Sequence, residues 1–206
     1  MSGRKGTYVK SIRVAVAAAA VVAAMTACSS PMQAGAAAVV GNERISMSKL
    51  NADTQAYLAA LKKAQLDESA LGVPANQAVL QRLVNVSVSN QLLDRHNVQV
   101  TETEIDNALK DPGQFQSPEI NLLANGVAPS DARAYARAMV GLTKLQQQFG
   151  GQAGQEKLIQ EFSSIKPIFN PRFGQLNGQR SQENPALFVD TGRFGKLTLQ
   201  AQPAQG

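Results

Sequence analysis

The chain contains a single cysteine, Cys28, so no disulfide within the chain can stabilise its fold. A stable domain must therefore come from a hydrophobic core, built by elements that each bury one face. Residues 1–27 are not expected to join this core, because they have the parts of a secretory signal: a basic start without acidic residues, an apolar run over residues 14–24, and small residues before Cys28. The apolar run is too short to span a bilayer comfortably as a permanent helix, so we expect an exported protein.

The segment Met25-Thr26-Ala27-Cys28 resembles the lipobox of bacterial lipoproteins. The resemblance implies a diacylglyceryl group on Cys28, and hence anchoring to the extracytoplasmic face of the bacterial cell membrane. Two acyl chains anchor firmly, because each buried methylene contributes about 0.8 kcal/mol and one chain alone binds marginally. In the alternative, an ordinary signal peptidase cuts after Ala34-Gly35-Ala36 and releases a soluble protein without cysteine.

The formal net charge of +5 overstates how basic the exported part is. The signal carries four of the 20 Lys and Arg residues and none of the 15 acidic residues, which leaves a net charge of +1. This balance gives no electrostatic reason to expect a nucleic-acid partner.

The residue types needed for catalysis or metal binding do not form a recognisable pattern. His96, the only histidine, follows an amphipathic helix, where its imidazole is expected to cap carbonyls of that helix or to lie half exposed. One histidine and one cysteine are too few for a zinc site, and the sequence has no nucleophile elbow, phosphate-binding loop or dinucleotide fingerprint. We therefore expect no enzyme activity, no metal and no other cofactor.

Hydrophobic periodicity divides the exported part into three segments. We expect a tether over residues 28–36, a folded domain over residues 37–169, and an irregular, partly disordered end over residues 170–206. Within the domain, helical spacing dominates and strand-like segments are short. The sequence thus predicts a mainly α fold with a small β-hairpin or edge sheet.

Turn and cap signals set the expected element boundaries. Gly41-Asn42-Glu43 is the predicted turn of the hairpin. Asn76 is the predicted cap of the longest helix, and Thr101 is expected to form a capping box with Glu104. Further helices are predicted over residues 48–63, 130–149 and 155–164.

The end of the predicted domain reads as an extended segment followed by a turn. Because Pro167 cannot donate a backbone hydrogen bond, residues 165–169 are expected to form a strand at the edge of the sheet. We expect this strand to pair with Val39-Val40. The segment Asn170-Pro171-Arg172-Phe173-Gly174 resembles an element found near the end of actinobacterial lipoproteins. Its residue types also suit a plain turn, which is the interpretation we favour.

Two predicted helices carry apolar stripes that could be either core or binding surface. On physical grounds a core is the more common role of such a stripe. An exposed stripe would instead indicate a surface for binding a polypeptide. The candidate polypeptide-binding residues are Leu80, Leu83, Val84, Val88, Tyr135, Met139 and Leu142.

The order of these segments resembles the N-terminal domain of SurA-type periplasmic chaperones, to which PrsA and trigger factor are related. The resemblance covers residues 37–148 and is carried by Ala37-Ala38-Val39-Val40-Gly41-Asn42-Glu43-Arg44-Ile45-Ser46, Leu80-Gln81-Arg82-Leu83-Val84 and Val98-Gln99-Val100-Thr101-Glu102-Thr103-Glu104-Ile105. It implies a helical SurA-N-like domain that binds unfolded segments in an open cradle. SurA and PrsA also carry parvulin-type prolyl isomerase domains, but the residues after Gln148 are too few for one, so isomerase activity is not expected.

These features favour a membrane-anchored lipoprotein that acts as a holdase for unfolded secreted polypeptides. The alternative is a structural or adaptor lipoprotein that docks one envelope partner without chaperone activity. A solute-binding lipoprotein is less favoured, because the chain is short for two lobes around a cleft and lacks alternating strands and helices.

Overall fold

The computed structural model describes residues 34–68, 72–181 and 186–189, which belong to one compact unit. The predicted signal, Cys28 and all of the tether before residue 34 lie outside the described residues. The fold begins with a hairpin, in which strand β1 (Ala36–Val40) pairs antiparallel with strand β2 (Glu43–Ser46). Gly41 turns the chain with a φ of +57°, a conformation that glycine adopts without strain. The predicted hairpin is confirmed.

Strand β3 (Pro167–Phe169) pairs with the other side of β1, so the sheet order is β2-β1-β3. Val39 lies opposite Ile168, which confirms the predicted pairing across almost the whole domain. Pro167 lacks a backbone N–H, and a strand at the edge of a sheet tolerates that loss.

Six helices make up most of the described fold, and the predicted mainly α class is confirmed. Ser46 caps the first helix, and Thr101 forms the predicted capping box with Glu104. The helices are α1 (Met47–Lys63), α2 (Ala75–Arg95), α3 (Glu102–Ala108), α4 (Pro118–Ala124), α5 (Ala132–Gln148) and α6 (Gln155–Ser164).

Two details of the helix prediction were wrong. Asn76 does not cap α2, because the helix begins at Ala75 and Pro74 occupies the cap position. The Ala75 amide instead donates to Oε1 of Glu68 at 3.0 Å. Helix α4 was missed, although Ser117 at its cap and Pro118 at its first position are both helix-start signals.

Helix α2 lies at the centre of the core, packed against α1, α5 and β1. Its Leu80, Leu92 and Leu93 side chains are completely buried. Tyr57 of α1 is also buried, and its hydroxyl donates to the Leu123 carbonyl at 2.7 Å, which ties α1 to the end of α4. Burial raises the pKa of Tyr57 to about 12.

The prediction that residues 170–206 are irregular was wrong for part of that range. Strands β4 (Gln175–Leu176) and β5 (Phe188–Val189) form a second, two-stranded sheet. Phe188 is buried, and its ring meets that of Phe169 edge-on at 5.1 Å between centroids. The core therefore extends beyond residue 169, because Leu187 and Phe188 belong to the same buried cluster as the helices. Residues 190–206, the last part of the segment that we expected to be partly disordered, lie outside the described residues.

The turn interpretation of the Asn170-Pro171-Arg172-Phe173-Gly174 segment is confirmed. Asn170 Oδ1 accepts from the Arg172 amide at 3.1 Å, and Gly174 has a φ of +80°. The Asn170 side chain also donates to the Ala36 carbonyl at 2.8 Å. The turn thus connects the end of β3 to Ala36, the first residue of β1. The folded domain therefore begins at residue 36, one residue before the predicted boundary at residue 37.

Candidate functional site

The seven candidate polypeptide-binding residues do not form one surface. Leu80 and Leu83 lie in the core and offer almost no surface in this conformation. Val84 and Val88 are also buried, but they form the floor of a groove beside α6. Polypeptide binding by these four residues stays a prediction, and the structure places them mainly in the core, the role that is more common for an apolar stripe.

The three candidates on α5 are more accessible. Tyr135 and Leu142 are half-buried, and the Met139 side chain is 45% exposed. Tyr135 and Met139 line a cavity of about 340 Å³, here called groove A, between α3, α4 and α5. The other residues that line groove A are Ala108, Leu109, Asp111, Pro118, Asn121, Leu122, Asn125 and Ala136.

Arg82 of α2 contacts two of the residues that line groove A. The Arg82 guanidinium lies 4.9 Å from the centre of the Tyr135 ring, and its Nε donates to the Asn125 carbonyl at 2.7 Å. Burial lowers the pKa of Arg82 from its ordinary value. Because the same guanidinium contacts both walls, it holds Tyr135 and the end of α4 in fixed positions.

Ion pairs join α3 to α5, two of the helices that border groove A. Lys144 Nζ lies 2.8 Å from Oε1 of Glu104, and the guanidinium of Arg133 pairs with Asp106 and Glu102. The hydrogen bond from Lys144, with those from Thr101, lowers the pKa of Glu104 to about 2. These contacts fix the distance between α3 and α5, which form two walls of groove A. The capping box was the sequence signal that pointed to one of the paired residues, Glu104.

A second cavity of about 210 Å³, here called groove B, lies between α2, α6, β3 and β4. Sequence reasoning selected two of its lining residues, Val84 and Val88, but missed the groove itself, because the lining comes from segments that are far apart in the chain. Its walls are mostly apolar. The lining residues are Gln81, Val84, Asn85, Val88, Phe162, Ser163, Ile165, Lys166, Pro167, Phe169 and Leu176.

A third cleft, between α2, α3 and α5, is lined mainly by polar and charged side chains. It has a volume of about 420 Å³, and Arg133 and Arg137 lie beside Asp94 and Glu102 there. Asn90 Oδ1 is buried in this region and has no hydrogen-bond partner within the described residues. Because its lining carries charges of both signs, this cleft suits an apolar ligand less well than groove A or groove B does.

His96 occupies the predicted position at the end of α2, where its backbone amide donates to the Leu92 carbonyl. Its ring packs edge-on against Phe149, with 5.1 Å between ring centroids, and Nε2 lies 3.5 Å from Oε2 of Glu161. The imidazole thus joins α2 to α6. Within the described ranges, no three His, Cys, Asp or Glu side chains are grouped so as to hold a metal ion.

Comparisons with known proteins identify the family. The model of the SurA-like N-terminal domain matches residues 2–121, which include the hairpin and α1 to α3. No curated protein and no solved structure matches the chain significantly. In the described part of the chain, no helix is both long and apolar enough to cross a membrane. The chain therefore belongs to the SurA-like N-terminal domain family, and this membership indicates a chaperone-like role in protein folding.

Proposed function

We propose that the protein is an exported lipoprotein whose domain holds unfolded secreted polypeptides near the membrane. The chaperone-like role follows from the family. Groove A is the observation that supports holdase activity, because it combines an open apolar wall with rigid supports. The proposed binding relies on apolar contacts and on hydrogen bonds to the client backbone, so it needs no nucleotide or metal.

Groove A suits an apolar segment of an unfolded chain in size and in chemistry. Its volume of about 340 Å³ lies within the roughly 300–1,000 Å³ that is usual for ligand pockets. Met139 is flexible and polarizable, so it adapts to client side chains of different shapes. Tyr135 and Leu109 supply further apolar surface, and Asn121 and Asn125 can bond the backbone of a client.

The anchor proposed for Cys28 would keep the grooves close to the site of export. Residues 28–35 separate the lipid from β1, and such a segment spans at most roughly 30 Å when extended. A polypeptide emerging from the membrane would then meet the domain within that distance. Replacing Cys28 by Ser is expected to move the protein from the membrane fraction to the soluble fraction. If the Cys28→Ser variant stayed in the membrane fraction, the lipid anchor would be contradicted. A wild-type protein found in the soluble fraction would also contradict it, and would indicate cleavage after Ala36 instead.

Light scattering tests the holdase. A chain that starts at Ser29 keeps every described element, because the described fold begins at residue 34. Mixed with a chemically unfolded protein, this chain is expected to suppress aggregation near equimolar amounts. Unchanged scattering at all ratios would refute the holdase and favour the adaptor, whose partner would then be sought by capture from membranes.

A matched pair of variants tests whether groove A is the site. Met139→Gln makes an exposed groove side chain polar with little change of shape, and we expect a loss of about 1 kcal/mol, or roughly fivefold weaker client binding. Ile159→Gln makes the same kind of change at a side chain on α6 that is 57% exposed and lines neither groove. Equal effects of the two variants would place client binding outside groove A.

A further inference from the structure

Groove B lies next to the point where the chain leaves the described residues. Phe188 contacts the Phe169 ring and lies opposite Leu176 in the β4–β5 pair, and both of these partners line the groove. Val189, the last described residue, follows directly and is 48% exposed. The next seventeen residues, 190–206, thus start at the edge of an apolar cavity.

Strand β3 gives groove B a backbone edge as well as apolar walls. The Asn170 amide donates to the Ala37 carbonyl at 2.8 Å, and hydrogen-bonded positions alternate along an antiparallel pair. Ile168 therefore directs its backbone groups toward β1, whereas Phe169 directs its N–H and C=O away from β1. An extended segment beside β3 would find one donor and one acceptor at Phe169.

The residues that follow Val189 contain a short strand-like pattern of suitable length and chemistry. Leu197-Thr198-Leu199 alternates apolar and polar residues, so both leucines would lie on one face of an extended segment. Phe194 lies three residues before Leu197. The seven residues between Val189 and Leu197 reach about 25 Å when extended, which is ample for a cavity whose lining already touches Phe188.

We propose that residues 194–199 of this chain occupy groove B, with Leu197 and Leu199 against its apolar walls and the backbone beside β3. A tethered segment has an effective concentration on the order of millimolar, so it outcompetes a dilute polypeptide for the same cavity. Groove B would thereby take a segment of the protein itself, whereas groove A remains available to other ligands. This inference does not depend on the proposed function, because it concerns a different cavity and an intramolecular ligand.

Engineered cysteines provide the first test. The chain from Ser29 has no cysteine, so any disulfide must come from introduced residues. Ser163→Cys at the rim of groove B is combined with Thr198→Cys, which leaves both leucines in place. The matched control combines Thr198→Cys with Ala108→Cys in groove A. Under mild oxidation we expect at least about fivefold more intramolecular disulfide in the groove B pair than in the control.

Three outcomes would overturn the proposal. Equal crosslinking of the two pairs would show that residues 194–199 have no preferred site, and more crosslinking of the control would place them in groove A. Disulfide-linked dimers in place of crosslinked monomers would show that a second copy fills groove B. Gel electrophoresis without reductant separates these cases.

A dye that fluoresces on apolar surfaces gives an independent measurement. Replacing Leu197 and Leu199 by Asp is expected to release the segment and to raise dye fluorescence severalfold, as is truncation after Val189. Gln200→Asp adds a charge just outside the pattern and should leave fluorescence unchanged. Circular dichroism confirms that each variant is folded. Unchanged fluorescence in the folded double variant would refute the proposal.

Discussion

Gly141 of α5 packs directly against Leu93 of α2, and Gly141→Ala is expected to destabilise the protein. A Cβ at this position would lie 2.2 Å from Cδ1 and 2.8 Å from Cδ2 of Leu93. Carbon atoms in contact are normally about 3.5–4.0 Å apart, and the Leu93 side chain is completely buried. The added methyl group must therefore displace Leu93 or push the two helices apart.

Two opposing effects determine the size of the change. Alanine favours a helix over glycine by about 1 kcal/mol. Overpacking of a core costs about 1–3 kcal/mol, and an overlap this severe belongs at the upper end. We therefore expect the free energy of unfolding to fall by about 2 kcal/mol in urea denaturation. A free energy of unfolding equal to or above the wild-type value would refute the reasoning.

Two further variants separate overpacking from helix propensity. Ala134→Gly, at an exposed position of the same helix, should cost about 1 kcal/mol through propensity alone. Leu93→Ala should cost about 2–5 kcal/mol by opening a cavity. In the Leu93→Ala/Gly141→Ala double variant the new methyl group enters that cavity, so the double variant should be more stable than the sum of the single changes by about 1–3 kcal/mol. Simple additivity would contradict the contact.

Three other predictions follow from single contacts. Tyr57→Phe removes one of two hydrogen bonds to the Leu123 carbonyl, which still accepts from the Gly126 amide at 2.9 Å, and should lower the free energy of unfolding by about 0.5–1.5 kcal/mol in denaturant titration. The pKa of Glu104 is lowered to about 2, so its contribution to stability is present above its unfolded pKa and is lost as the pH falls toward 2. Lys144→Met should flatten this part of the pH–stability curve. An unchanged slope would exclude the ion pair with Lys144 as the cause. Asn170→Ala removes the hydrogen bond to Ala36 and should cost about 1 kcal/mol, with faster amide hydrogen exchange in β3 as the sign that the loss is local.

Much of the secondary structure was predictable because its signals are local. The Thr101 capping box joins residues only three positions apart, so the pattern of residue types specifies the contact. The pairing of β3 with β1 spans most of the domain, yet it was predictable from two short β-prone segments and Pro167. Helix α4 has only seven residues, so its apolar period is too short to detect, although its start signals were present.

The candidate site was less predictable than the fold. Periodicity correctly placed Leu80 and Met139 on apolar stripes, but the two side chains have opposite surroundings. Leu80 is enclosed because α2 packs against α1, α5 and β1, whereas Met139 lies on a part of α5 that borders a cavity. Groove B was not predicted as a cavity, although Val84 and Val88 were candidate residues, since its walls come from α2, α6 and the two sheets.

The sequence by itself determined the mainly α fold class, the hairpin, the edge strand and the resemblance to the SurA-type domain. It did so because caps, turns and apolar periods depend on residues that are close together in the chain. Only the tertiary structure decided which apolar side chains form the core and which border a groove. A helix has the same apolar stripe in both cases, and the difference arises from whether another element packs on that stripe.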